Sequence, residues 1–157
     1  MFVHEKNAVS DFIGDLTRKY GRQRSSLLPI LQEIQHKYNY ISDFAQQEVA
    51  RNLDIHPVEV YSVISFYAFL YDKPRGRNIV RFCKTIICEL AGARAVAEAV
   101  KRELGIGFGE TTKDGKITLE YANCIGMCDK SPAMLVNERV YSGLDPEQAC
   151  KIIREIK

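Results

Sequence analysis

The chain has 157 residues, of which 46% are hydrophobic and 27% charged, enough for one domain or two small ones. Its 22 basic and 20 acidic residues leave a net charge of +2, which argues against a nucleic-acid-binding protein that works by neutralising phosphates. No apolar run approaches the ~18–20 residues that a membrane helix needs, and residues 1–20 do not resemble a secretory signal. We therefore expect a cytoplasmic protein without direct membrane insertion, whose cysteines are reduced or ligated.

The first half of the chain has the apolar spacing of helices. Residues 8–20 carry apolar side chains at helical intervals and predict the first helix. Ser25 is expected to cap the second helix, Ser42 to cap the third, and His56 to precede the fourth. Four short helices joined by brief loops predict a helical bundle over residues 1–72.

An apolar and aromatic stretch lies at the end of this predicted bundle. We expect most of it to lie in the bundle core, with a part that serves as an interface with a partner, because tyrosines are enriched at interfaces. The residues concerned are Tyr61, Phe66, Tyr67, Phe69, Leu70 and Tyr71.

The second half of the chain mixes strands with helices, after a polar linker around Pro74 and Gly76. Such an arrangement predicts one sheet with helices packed against it, a small α/β domain over residues 77–157. The predicted strands are residues 78–83, 117–121, 133–136 and 139–141, and the predicted helices are residues 91–104 and a last helix that begins after Asp145. The fold class expected for the whole chain is thus α+β, an N-terminal helical bundle followed by an α/β domain.

Four of the five cysteines stand in two tight pairs. Cys83 and Cys88 are separated by four residues, and Cys124 and Cys128 by three. Each pair follows a predicted strand, and loops at the carboxyl end of a sheet are where α/β domains place their sites. We expect the two loops to lie together and to enclose one centre.

Three occupants of such a centre are compatible with the spacing. An iron–sulfur cluster takes four thiolates, and the apolar neighbours of these cysteines would keep water from its sulfurs. A structural zinc would also accept four cysteines, although its usual pairs are closer to C-x2-C. A dithiol site usually has a C-x-x-C pair, which this sequence lacks. The spacing favours the iron–sulfur cluster and leaves the other two open.

Several segments together resemble one known family. Cys-x4-Cys and Cys-x-Gly-x-Cys, with residues 28–40, 58–67 and 109–112, resemble the thioredoxin-like two-iron ferredoxins. That family includes the 24-kilodalton-type subunit of respiratory complex I and the small subunits of NAD-linked hydrogenases and formate dehydrogenases. Ile87 departs from the family, since many members have proline there, and residues 129–133 resemble the hydrogenase-associated members more.

The resemblance implies a thioredoxin-like domain that carries one 2Fe-2S cluster, with Cys83, Cys88, Cys124 and Cys128 as ligands and with no catalytic residue of its own. It further implies an electron-transfer subunit beside a flavin-containing, NAD(P)H-oxidising subunit, which would hold FMN and NAD(P), together with further iron–sulfur or hydrogenase subunits. A bifurcating hydrogenase is one expected setting. The alternatives are a complex I-type NADH:quinone oxidoreductase, or a non-redox assembly module with a structural zinc. The helical bundle would dock the partner.

The other candidate functional residues offer weaker evidence of function. The glycines of residues 105–109 follow a predicted helix and do not lead into one, so they predict a loop and not a dinucleotide site. Cys150 is expected to be a buried apolar residue on the last helix. Arg81 and Lys84 lie near the first cysteine; the simplest interpretation is that they are solvated surface charges, and the alternative is that they tune the reduction potential of the centre.

Overall fold

The structure, a computed structural model, describes residues 3–156, which form two compact units divided between Pro74 and Arg75. The helical unit precedes this division, and the sheet unit follows it. Among the described residues, no helix has both the length and the apolar character needed to cross a bilayer.

Within residues 3–74, the helical unit contains four α-helices, and identifiable hydrogen bonds mark the end of the first and the start of the third. Gly21 has a positive φ of 87°, and its N–H bonds to the carbonyl of Thr17, which ends the first helix. The Ser42 hydroxyl accepts a hydrogen bond from the N–H of Ala45 and caps the third helix as predicted. The helices are α1 (Val3–Tyr20), α2 (Leu27–Tyr38), α3 (Asp43–Leu53) and α4 (Pro57–Phe66).

A continuous apolar core holds the four helices together. Each helix buries one face, and the loop after α2 adds Ile41 to the same core. Gln35 fixes the segment after α4, because its side chain accepts a hydrogen bond from the N–H of Tyr71 and donates one to the carbonyl of Phe69. The most completely buried side chains are Ile13, Ile30, Leu31, Ile34, Ile41, Val49 and Val60.

Two expectations for this unit are wrong. Ser25 does not cap α2, because a short 3-10 turn over Arg24–Ser26 precedes the helix and the Ser26 hydroxyl bonds to the carbonyl of Tyr20. The aromatic stretch is mostly outside the core: only Leu70 and Tyr71 are buried, and Phe66 is 80% exposed. The exposed members are Tyr61, Phe66, Tyr67 and Phe69.

The sheet unit contains a four-stranded mixed sheet with three helices. Its strands are β1 (Asn78–Cys83), β2 (Ile117–Ala122), β3 (Ala133–Val136) and β4 (Arg139–Ser142), and their order across the sheet is β2-β1-β3-β4. β1 and β2 are parallel, whereas β3 is antiparallel to both β1 and β4. The helices are α5 (Ile86–Leu90), α6 (Ala93–Leu104) and α7 (Pro146–Ile156).

Apolar residues of the sheet and of α6 and α7 form the core of this unit. Phe82 of β1 is the largest completely buried side chain, and its ring meets the ring of Phe108 edge-on. Phe108 in turn stacks on Tyr121 with ring centroids 3.6 Å apart. The other core residues include Val80, Val96, Val100, Ile117, Leu119, Met134, Ala149 and Ile153.

The parallel pairing of β1 and β2 positions both cysteine pairs. Cys83, the last residue of β1, lies beside Ala122, the last residue of β2. The pairing continues one step further, since the N–H of Lys84 bonds to the carbonyl of Ala122. The loops that leave these two strands therefore start side by side at one edge of the sheet.

Candidate metal centre

The first cysteine pair is buried by the chain itself. Cys83 is 3% exposed and Cys88 is 1% exposed. Cys88 lies within α5, a short helix that the sequence did not predict. Ala93 and Ile125 pack around the two cysteines, so that this half of the centre is dry.

Two hydroxyl groups lie against the buried sulfurs. The Thr85 Oγ1 atom is 3.3 Å from the Cys83 Sγ atom, and the Ser131 Oγ atom is 3.5 Å from the Cys88 Sγ atom. Ser131 reaches this position because it precedes β3, whose antiparallel pairing with β1 starts that strand at the edge where Cys83 ends β1.

The second pair lies in an exposed loop after β2. Cys124 and Cys128 are both exposed. Gly126, between them, has a positive φ of 77°, which favours glycine, and its N–H donates to the Cys124 Sγ atom at 3.4 Å. A short 3-10 turn begins at Cys128 and leads towards Ser131. The backbone of this loop therefore folds back onto the sulfur of Cys124, the first cysteine of the pair.

The thiols influence one another's pKa values. Desolvation raises the pKa of Cys128, and the neighbouring thiols of Cys124, Cys88 and Cys83 raise it further. Burial also acts to raise the pKa of Cys83, but hydrogen bonds from Thr85, with Cys88 and the backbone of Ile125, outweigh burial and lower it. The structure thus brings together the four cysteines that the sequence singled out.

This donor set suits a two-iron cluster. A 2Fe-2S cluster takes four thiolates, and each iron is bound by only two of them. Among residues 6–156, no three cysteine, histidine or acidic side chains converge as ligands of a single ion. Two pairs of thiols, in loops that start side by side at one edge of the sheet, meet the requirement of a two-iron cluster.

Apolar side chains around the first pair face outward rather than covering the sulfurs. Ile86 is 72% exposed and Leu90 is 80% exposed, and Ile87 is also exposed. The expectation that apolar neighbours shield the sulfurs is therefore wrong for Ile86 and Ile87, whereas Ile125 does pack against the buried pair. Exposed apolar side chains concentrated on one short helix are instead typical of a surface that a partner covers.

The two nearby cations differ from each other. Arg81 is not a solvated surface charge: it is buried within β1, and its guanidinium lies 3.5 Å from the carboxylate of Glu120 on β2. Lys84 is exposed, as the simplest interpretation predicted.

Cys150, on α7, is half-buried and packs against the core of the sheet unit, and burial raises the pKa of its thiol.

Sequence reasoning missed Thr85 and Ser131 as members of this centre. Thr85 lies inside the first cysteine pair, and a hydroxyl between two candidate ligands is a signal that the sequence offers. Ser131 follows Cys128 by three positions, and only the antiparallel β3 brings it back to Cys88. Nothing in the sequence indicates that Ser131 lies close to Cys88.

Known proteins resemble this chain over nearly its whole length. A model of the family "Thioredoxin-like [2Fe-2S] ferredoxin" matches residues 13–157. The E subunit of the NADH-quinone oxidoreductase of Buchnera aphidicola is 38% identical over 138 residues, which cover 88% of this chain and 85% of that protein. The HndA subunit of the NADP-reducing hydrogenase of Solidesulfovibrio fructosivorans is 33% identical over 147 residues, which cover 94% of this chain and 84% of that protein.

Longer proteins match through one part only. The alpha subunit of the NAD-reducing hydrogenase HoxS of Cupriavidus necator is 36% identical over 145 residues, which cover 92% of this chain but 24% of that protein. A crystal structure of an NAD+-reducing [NiFe]-hydrogenase in the H2-reduced state aligns with a TM-score of 0.75 at 25% identity, over 86% of this chain and 22% of that one. This likeness confirms the α+β, thioredoxin-like fold class.

The family match and the relatives above 30% identity lead to the same conclusion. Membership implies a 2Fe-2S cluster, and the four thiols at the edge of the sheet are suited to it. This chain belongs to the thioredoxin-like [2Fe-2S] ferredoxin family.

Proposed function

We propose that this chain is the electron-carrying subunit of an NAD(P)H-linked oxidoreductase complex. Cys83, Cys88, Cys124 and Cys128 hold one 2Fe-2S cluster, which supplies one-electron transfer. A flavin-containing partner subunit binds FMN and oxidises NAD(P)H, and further iron–sulfur or hydrogenase subunits complete the route. The observation that carries the proposal is the parallel pairing of β1 and β2, because it starts both cysteine loops at one edge.

The chain's own residues hold and shelter the centre. The backbone of β1 and α5 fixes the first two thiols in a dry environment, and the Gly126 turn fixes the second pair at the surface. A centre that lies partly at the surface suits electron exchange with another protein. No residue of the chain makes or breaks a bond in this role, so its contribution is position, protection from water and electrostatics.

Exposed apolar surfaces support the presence of a flavoprotein partner. On the sheet unit, α5 presents Ile86, Ile87 and Leu90 beside the cysteines. On the helical unit, Phe66 and its aromatic neighbours remain exposed, which supports the role of residues 1–72 as a docking element.

The relatives include subunits named for hydrogenases and for NADH-quinone oxidoreductases. The hydrogenase setting is the main proposal, and the complex I-type setting is the alternative. The cytoplasmic location stays a prediction.

The test is to purify the chain anaerobically with the proteins that accompany it. We expect about two irons and two sulfides per chain, a visible absorption that dithionite bleaches, and reduction of the cluster by NADH or NADPH only when the flavin-containing subunit is present. The identity of the other subunits separates a hydrogenase from a quinone reductase. One zinc and no iron would overturn the proposal in favour of an assembly module, and a metal-free protein with thiol–disulfide activity would favour a dithiol enzyme.

Lys84 offers a test of electrostatic tuning. Replacement of Lys84 by alanine removes an exposed positive charge inside the first cysteine pair, so the more negative, reduced form of the cluster loses a favourable interaction. We expect a lower midpoint potential in a redox titration, with a difference that shrinks as salt is added. Lys113→Ala is the control, because Lys113 is exposed before the start of β2, at the opposite end of that strand from Cys124. Equal midpoints for the Lys84 variant and the unmodified chain would remove this role.

A further inference from the structure

We propose that the hydroxyls of Thr85 and Ser131 donate hydrogen bonds to the Cys83 and Cys88 sulfurs and thereby raise the reduction potential of the cluster. The inference rests on the proposed function, since it requires these cysteines to be ligands. It adds two positioning residues that act on the metal centre through the thiolates and never touch the iron.

Ligation decides the direction of both hydrogen bonds. In a free thiol either the sulfur or the hydroxyl can donate, and both contacts, at 3.3 Å and 3.5 Å, allow either sense. A cysteine that binds iron has lost its proton. The only proton left between the two atoms is then the one on the hydroxyl, so Thr85 and Ser131 become donors to an anionic sulfur, which is the stronger kind of hydrogen bond.

The Thr85 hydroxyl is well suited to this role because it is not used to cap α5. Thr85 is the residue before α5, but its side chain makes no capping hydrogen bond to that helix. The Cys83 sulfur is its partner, at 3.3 Å. Removal of this hydroxyl therefore changes the sulfur's surroundings and leaves the helix ends as they are.

The Ser131 hydroxyl has a choice of acceptors. It lies 3.1 Å from the carbonyl of Cys128 and 3.4 Å from that of Met127, as well as 3.5 Å from the Cys88 sulfur. With a thiol at Cys88 the closer carbonyl is the better acceptor. With a thiolate there, the negative charge in a buried setting makes the sulfur the better acceptor. Ser131 therefore turns to the sulfur when the cluster is bound.

The sign of the effect follows from the charge of the centre. The flavin-bearing partner supplies one electron, and the formal charge of the two irons, two sulfides and four thiolates goes from about −2 to about −3. No bond breaks and no proton leaves either hydroxyl. A donor stabilises the more negative state more strongly, so each hydroxyl favours the reduced form and raises the midpoint potential.

The experiment uses the complete chain with its cluster and measures midpoints by redox titration followed by electron paramagnetic resonance. Thr85→Val and Ser131→Ala each remove one hydroxyl. We expect the ratio of reduced to oxidised cluster at a fixed potential to fall about three- to tenfold for each, where tenfold corresponds to ~59 mV for one electron. Thr85→Ser keeps the hydroxyl and should restore the midpoint.

Ser142→Ala is the matched control. Ser142 ends β4 in the same unit, and its hydroxyl is not one of the two that lie against a cysteine sulfur, so its loss should leave the midpoint unchanged. A second readout is resonance Raman spectroscopy in heavy water. Exchange of the hydroxyl proton for deuterium should shift the iron–thiolate stretching bands of the unmodified chain, and that shift should shrink in the two hydroxyl-free variants.

The outcomes separate this inference from the proposed function. An unmodified chain without iron would overturn both. A normal cluster in both variants, with midpoints and deuterium shifts equal to those of the unmodified chain, would overturn the role of the hydroxyls and leave the electron-carrier proposal standing. If Thr85→Val does not assemble a cluster, Thr85→Ala and Ser131→Ala provide the same comparison, and a midpoint that falls in either supports the role.

Discussion

Replacement of Cys88 by alanine is expected to abolish the cluster. Cys88 is buried within α5, and its sulfur would be one of the four thiolates that the cluster takes. Anaerobically purified Cys88→Ala should therefore fall from about two irons per chain to almost none and lose its visible absorption. Iron and sulfide assays and electron paramagnetic resonance measure the loss.

Cys150→Ala is the matched control for this variant. Cys150 is the one cysteine outside the four, and it packs against the core of the sheet unit on α7. It should retain the full iron content, at a small cost in stability from the lost apolar contacts. Normal iron in Cys88→Ala, or equal losses in the two variants, would contradict the ligand assignment.

A methyl group at position 76 is expected to destabilise the sheet unit strongly. An added Cβ on Gly76 would lie 2.7 Å from the Ile117 carbonyl carbon and 2.8 Å from the Thr118 nitrogen. Both atoms belong to the backbone of β2, which cannot move without disturbing its pairing with β1. Gly76 also donates its N–H to the Thr118 hydroxyl at 2.7 Å. We expect Gly76→Ala to lower the free energy of unfolding of this unit by about 3 kcal/mol.

Gly14→Ala is the matched control, with the opposite sign. Gly14 lies within α1, and nothing stands within 4 Å of the position of an added Cβ. Alanine has the higher helix propensity, so this change should stabilise the helical unit by about 1 kcal/mol. Urea unfolding of each variant, with hydrogen exchange of the β1 and β2 amides, measures both effects. A Gly76→Ala chain as stable as the unmodified one would refute the close backbone approach.

Periodicity was sufficient to predict much of the architecture. Within residues 3–156, the four strands and six of the seven α-helices follow from apolar spacing and from turn residues, because most of these elements bury one face; β4, which has no buried residue, was predicted from the turn before it. The missed element is α5, which has only five residues and exposes Ile86 and Leu90. A helix this short is little more than one turn, so it has no apolar period that a sequence could display.

Tertiary relationships account for the other errors. The burial of Arg81 depends on its lying beside Glu120 across β1 and β2, and a strand register cannot be seen in one strand alone. The exposure of Phe66 could not be predicted either, since an aromatic residue in an apolar helix suits a core and an interface equally well. The four cysteines were found because their spacing is local. Of their two hydroxyl neighbours, Thr85 lies between Cys83 and Cys88 in the sequence, whereas Ser131 depends on β3, which only the fold returns to that edge.

The unequal burial of the two cysteine pairs means that this chain shields only one side of its metal centre from water. Cys83 and Cys88 are enclosed by their own unit, whereas Cys124 and Cys128 face water. Water stabilises the more highly charged, reduced form. When a docked protein displaces that water, the tendency of the centre to accept an electron should decrease, so assembly of the complex itself would set the driving force for electron flow.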